Sequence, residues 1–142
     1  FMAAKMGLKF RTMKILATIN DNDKEEFGEI AKELQALGYT FISTKGTSAY
    51  LTSIGVPNEA VRRLGEEEPN ILNIISNLGV DLVINTPTKG NNSQRDGFII
   101  RRAAVEKNIG VITTLDTLRA LVAATKAYKE IRDSERLEVY SL

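Results

Sequence analysis

Apolar and polar positions along the chain follow two rhythms. Short β-rich runs at 13–19, 40–43, 82–85 and 111–112 have the length and composition of buried strands, and the less apolar 60–64 reads as a further short strand. Between them the spacing becomes helical. Phe27, Ile30, Ala31, Leu34 and Leu37 fall at i, i+3, i+4, i+7 and i+10, which predicts an amphipathic helix. Asp23 reads as its N-cap, with Glu26 completing a capping box, and Gly38 as its C-cap. Residues 44–48 form a polar turn before the segment 49–54, which Gly55 and Pro57 close. Ile71, Leu72, Ile74, Ile75 and Leu78 predict a short helix with Pro69 near its start. Asp96 stands where an N-cap belongs, ahead of Phe98, Ile99, Ile100, Ala103 and Ala104, in a helix that runs to about residue 107. A last helix starts at 113–116 and carries Leu118, Leu121, Val122 and Thr125, and 137–140 reads as a small edge strand.

Strand followed by helix, repeated with short connections, implies an α/β fold with a parallel sheet, right-handed crossovers and helices on both faces. At 142 residues one domain is expected, long enough to remove roughly 70% of its unfolded surface from water. No internal repeat, low-complexity tract or interdomain linker interrupts it. Residues 1–12 read as a lead-in from a preceding domain and 13–142 as the domain itself. The opening Phe1 and the helix-like stretch behind it carry neither cap nor initiator.

Charge and composition change this picture mainly by exclusion. Nineteen Lys and Arg against eighteen Asp and Glu leave a net charge of +1, without the basic stripe that nucleic-acid binding needs. No run approaches 18 apolar residues and no signal-peptide pattern appears, which argues against a membrane partner. The absence of cysteine excludes thiolate chemistry and is compatible with a reducing cytoplasm. The absence of histidine removes the commonest general base and the commonest zinc ligand together.

Candidate chemistry gathers in the stretch from Asp81 to Gly97, where a buried strand opens into a loop crowded with hydroxyls, amides and a lysine. In a parallel sheet the loops after residues 18, 44, 85 and 113 leave from one edge, and ligands bind in the crevice outside the carboxyl ends of such strands. Lys24, the hydroxyls of Thr18, Thr44, Thr47 and Ser48, the flexible Gly46 and a lean-in from Arg62 or Arg63 are what a phosphate or other oxyanion needs at a helix N-terminus. Asn85, Thr86, Thr88 and Asp96 remain for an uncharged part such as a sugar or base. Each piece also has a plainer reading. Residues 44–47 suit an ordinary strand-to-helix turn, Lys24 a solvated helix position, and Glu66, Glu67 and Glu68 a solvated run. The GxxxxGK[ST] and GxGxxG patterns are absent, and Glu26 breaks the calcium-loop spacing begun by Asp21 and Asp23.

Taken together, Thr18 with Asp23 to Glu25, Thr44 to Thr47, Asn85 to Gly90, Arg95 to Gly97 with Ile100 to Ala103, and Thr113 to Thr117 resemble, in order and spacing, the methylglyoxal-synthase-like domain at the carboxyl end of the carbamoyl phosphate synthetase large subunit. The likeness runs from about Met13 to about Thr125. It implies a three-layer fold whose five-stranded parallel sheet has the order 3-2-1-4-5. It also implies an allosteric module without catalytic residues, metal or cofactor, binding a nucleoside monophosphate (uridine monophosphate, or inosine monophosphate in some members). Carried over by position, Lys24, Thr44, Lys45, Gly46, Thr47 and Arg63 would hold the effector phosphate. Thr18, Asn85, Thr86, Thr88 and Asp96 would face its ribose and base. Arg63 stands where some members carry lysine, and Pro87 where some carry threonine. The implied partners are the remaining domains of the large subunit and the glutaminase small subunit, with a homo-oligomer also open, and the implied setting is cytoplasmic synthesis of carbamoyl phosphate for pyrimidines and arginine.

The alternatives are methylglyoxal synthase itself, a phosphate lyase acting on dihydroxyacetone phosphate, a stand-alone nucleotide sensor and a structural oligomerisation module. The lyase needs a carboxylate base in a glycine-rich loop and an assisting histidine. Glu68 lies near the base position but between Glu67 and Pro69, and the chain has no histidine.

Overall fold

A computed structural model describes residues 12–87 and 91–141. In chain order the elements are β1 (Lys14–Thr18), a single 3-10 turn (Asp21–Asp23), α1 (Lys24–Ala36), β2 (Thr40–Thr44), α2 (Lys45–Ser53), β3 (Asn58–Val61), α3 (Ile71–Ser76), β4 (Leu82–Asn85), α4 (Asn91–Glu106), β5 (Gly110–Ile112) and α5 (Leu115–Ser141). The strands form one five-stranded sheet in the order β3-β2-β1-β4-β5, every pair parallel. The expected architecture and strand order are therefore those observed.

Alternation along the strands sorts the core into two layers. Ile15, Ala17, Phe41, Leu82 and Ile84 pack with Phe27, Ile30, Ala31 and Leu34 of α1, Leu51 of α2, and Leu115, Leu118, Leu121 and Val122 of α5. The intervening residues Leu16, Ile42 and Val83 pack on the other face with Ile71 and Ile75 of α3 and Ile100 and Ala104 of α4. β1 and β4 are covered on both sides, which is why they read as continuous apolar runs. Phe27 meets Phe41 edge-on at 5.9 Å, coupling α1 to β2.

At the amino ends of the central strands a buried carboxylate closes the sheet. Asp81 accepts hydrogen bonds from Thr12 N and Oγ1 and from Met13 N at 2.9–3.1 Å, so the entry to β1 is tied to the entry to β4. Helix ends there share one device. After α1, Gly38 N donates to Gln35 O and Tyr39 N to Leu34 O, with Gly38 at φ +103°. The same pair of bonds follows α4, where Asn108 takes the left-handed position at φ 57°.

Several boundaries differ from those expected. Asp23 makes no capping bond to α1; Asn20 Oδ1 accepts from Asp23 N instead, because the 3-10 turn inserts itself ahead of the helix. Glu26 is not a capping partner but accepts from Arg119 of α5 at 2.9 Å. The polar turn at 44–48 and the segment after it are one helix, α2, entered directly from β2. β3 lies earlier than 60–64, and α3 is capped by Asn70 in a reciprocal box with Asn73. α4 begins at Asn91, so Asp96 lies inside the helix rather than at its cap: the polar run before it suits a helical first turn as well as a loop. Residues 137–140 continue α5 and are not an edge strand.

Candidate functional site

Register decides what meets at the carboxyl edge. Thr18 pairs with Asn85 across β1 and β4, and Ala17 with Ser43 across β1 and β2, so three strands end at nearly one level. Their loops enclose an open cavity of about 250 Å³. Of the residues expected there, Thr18, Lys24, Thr44, Gly46, Thr47, Arg63, Asn85, Thr86 and Asp96 line it together. Lys45 does not. It is exposed at the first position of α2, and successive helical side chains are turned by about 100°, so the residue after Thr44 falls on another side. Thr88 lies outside the described residues.

One wall is built by the start of α2. The helix begins immediately after Thr44, whose side chain makes no capping bond, so the first-turn N–H groups and the positive end of the helix dipole are left for another acceptor. Gly46 matters here for a definite reason: a Cβ at that position would stand 3.2 Å from Lys24 Nζ. The bare backbone lets the ammonium lie over the helix start. Lys24 comes from the first position of α1, its side chain only 18% exposed. Thr47, 2% exposed, has a different task from the one its residue type suggests. Its Oγ1 accepts from Ile19 N at 3.1 Å and donates weakly to Ile19 O at 3.5 Å, holding the end of β1 against α2.

Another part of the wall belongs to β4 and α4. Asn85 is 6% exposed, and its Nδ2 has no hydrogen-bond partner among the described residues. A donor enclosed without a partner costs about 1–3 kcal/mol, so a ligand acceptor reaching it would recover that energy. Gly97 allows α4 to approach, since a Cβ there would meet Asn85 Nδ2 at 3.2 Å and Arg101 Nη1 at 3.1 Å. Asp96, half-buried, adds a carboxylate to the same wall, and the exposed Arg63 adds a second cation from the loop after β3.

Sequence reasoning underrated two residues. Asn20 joins the loops: its N–H donates to Thr86 Oγ1 at 2.9 Å, and its Nδ2 donates to Asp23 Oδ2 at 2.8 Å and Pro87 O at 3.0 Å. The Asn20 to Asp23 spacing at a strand end was its one visible signal. Asp21 lines the cavity and forms an ion pair with Lys24. The hydrogen bond from Lys24, and then its charge, hold the Asp21 carboxyl below the usual carboxylate range. Among the described residues no group of three or more Cys, Asp and Glu could hold a metal ion, and no helix is long and apolar enough to cross a membrane.

Comparison with known proteins bears on this arrangement. The family model of the MGS-like domain matches residues 26–113, more than half of the chain. The chain belongs to the MGS-like domain family. Its curated relatives include carbamoyl phosphate synthase large chains from Clostridium botulinum (strain Loch Maree / Type A3), 56% identical, from Clostridium beijerinckii, 54%, and from Clostridium perfringens (strain 13 / Type A), 53%. Each alignment takes in the whole of this chain and 13% of the relative, so the chain spans about an eighth of the curated proteins it matches. Within this MGS-like domain the family match covers Thr44, Thr47, Arg63, Asn85, Thr86 and Asp96. Thr18 and Lys24 precede it but lie inside the alignments to the large chains.

Proposed function

We propose that this MGS-like domain is the allosteric, effector-binding part of a carbamoyl phosphate synthase large chain and performs no chemistry itself. The ligand is a nucleoside monophosphate, uridine monophosphate first and inosine monophosphate second. One observation carries the reading: Lys24, Arg63 and Gly46 at the uncapped start of α2 line the same cavity as Asn85 and Asp96. A phosphate suits Lys24, Arg63 and the start of α2 because cations and first-turn N–H groups favour negative charge. A ribose or base suits Asn85 and Asp96, since the Asn85 amide donor has no partner among the described residues and the Asp96 carboxylate can accept from hydroxyl or ring N–H groups.

Binding would bias the whole synthase by about 1–3 kcal/mol, the usual range for allosteric coupling. The remaining domains of the large chain and the glutaminase subunit are the partners through which it would act, on carbamoyl phosphate made for pyrimidines and arginine. The lyase alternative has no support from the geometry. Glu68, the nearest stand-in for its base, is exposed and does not line the cavity, and the chain has no histidine.

Calorimetric titration of the chain with uridine, inosine and adenosine monophosphates, and with inorganic phosphate, tests the proposal. Saturable binding of a monophosphate, weakened by added phosphate and by Lys24→Ala, is expected. Failure of all four to bind, or binding indifferent to Lys24, would overturn it.

A further inference from the structure

The less exposed cation of the proposed anion site already has an anion. Lys24 is drawn into the cavity wall, its ammonium lying over Gly46 at the start of α2. Two positive features, the ammonium and the helix end, would repel each other there without a counter-charge. The counter-charge is Asp21, whose carboxylate pairs with Lys24 while 90% of its side chain is exposed. We infer that Asp21 is a built-in competitor for the anion site: its carboxylate holds Lys24 until an incoming phosphate takes its place, and so sets how tightly the site binds.

This inference rests on the proposed anion site and adds the residue that tunes it. Three features of the pair support it. Asp21 lines the same cavity as Thr44, Gly46 and Arg63, so its carboxylate and a bound phosphate would crowd one another. Two negative groups at hydrogen-bond distance from one ammonium repel, so each weakens the hold of the other. Asp21 is the one able to leave, because it belongs to a single 3-10 turn in which no residue is buried, and water can receive its carboxylate. The Asp21 carboxyl is held ionised, since the hydrogen bond from Lys24 and then its charge keep it below the usual carboxylate range.

An exposed pair of this kind is weak, so the competition should cost the ligand about two- to five-fold in affinity. Replacing the carboxylate while keeping size and polarity reads that factor directly. Titrated with inorganic phosphate, Asp21→Asn should bind about two- to five-fold more tightly than the unaltered chain. Asp21→Ser should do the same, which guards against a peculiarity of the amide. Glu25→Gln, which removes an equal charge from an exposed position next to Lys24, should change affinity much less. In a Lys24→Met background Asp21→Asn should gain little or nothing. A structural role for Asp21 would instead give looser binding and a lower melting temperature. Unchanged or weaker binding in both Asp21 variants, with phosphate still bound by the unaltered chain, overturns the inference and leaves the site standing. If phosphate binds neither the unaltered chain nor the Asp21 variants, the site reading falls and takes the inference with it.

Discussion

At the scale of single residues, Lys24 and Thr47 border the same cavity but do different work. Lys24 offers charge, so Lys24→Ala should weaken phosphate or monophosphate binding by about 1.5–3 kcal/mol with little change in folding stability. The Thr47 hydroxyl is engaged with the backbone of Ile19 in a buried position. Thr47→Ala leaves that N–H without a partner and should lower stability by about 1–3 kcal/mol in chemical denaturation, with Thr47→Ser restoring most of it. Equal stability of Thr47→Ala and the unaltered chain would remove the structural role. Tyr39 shows how burial acts on a titrating group. It is 1% exposed, and burial first, then the charge of Asp81, push its phenol well above the ordinary value near 10. The raised group favours folding fully below that ordinary value, and the benefit is lost as pH climbs above it. Stability measured from about pH 9 to 12 should therefore fall in the alkaline range, and Tyr39→Phe should flatten that fall.

Among the elements, helix endings bear most on the site, because they return the chain to the amino edge at the level that lets the next strand enter in register. Gly38 is the clearest case. At φ +103°, and with Met13 Cε 3.3 Å from where a Cβ would stand, Gly38→Ala should cost about 1–2 kcal/mol in a denaturant melt. A loss of under a few tenths would mean the turn relaxes freely. Much of this level was legible. The i, i+3, i+4 spacing of Phe27, Ile30, Ala31 and Leu34 admits one amphipathic helix, and the apolar runs ending at Thr18 and Asn85 admit buried strands. Element starts were less legible, since short polar residues serve loops, caps and first turns alike. The run from Asn91 to Arg95 reads as loop until Gly97 is seen to let α4 pack against Asn85. Asn20 displaced Asp23 as the cap for a similar reason: both can accept, and the inserted 3-10 turn chose between them.

For the whole molecule, a ligand that bridges loops from β1, β2 and β4 binds only the folded chain and should stabilise it by mass action. With a ligand at a hundred times its dissociation constant the gain is about 2.7 kcal/mol, readable as a rise in melting temperature that grows with concentration. A melting temperature indifferent to saturating monophosphate would contradict binding across those loops.

The linear order of residues was enough to determine the layered α/β architecture, the two apolar faces and the identity of most cavity-lining groups. These follow from periodicity and side-chain type, which are local properties. Only the tertiary structure decided that Lys45 stands away from the cavity, that Thr47 spends its hydroxyl on Ile19, and that Asp21 rather than a distant group is the anion on Lys24. Those outcomes depend on helix phase and on which loops the sheet register brings to one level, and neither is contained in any single stretch of chain.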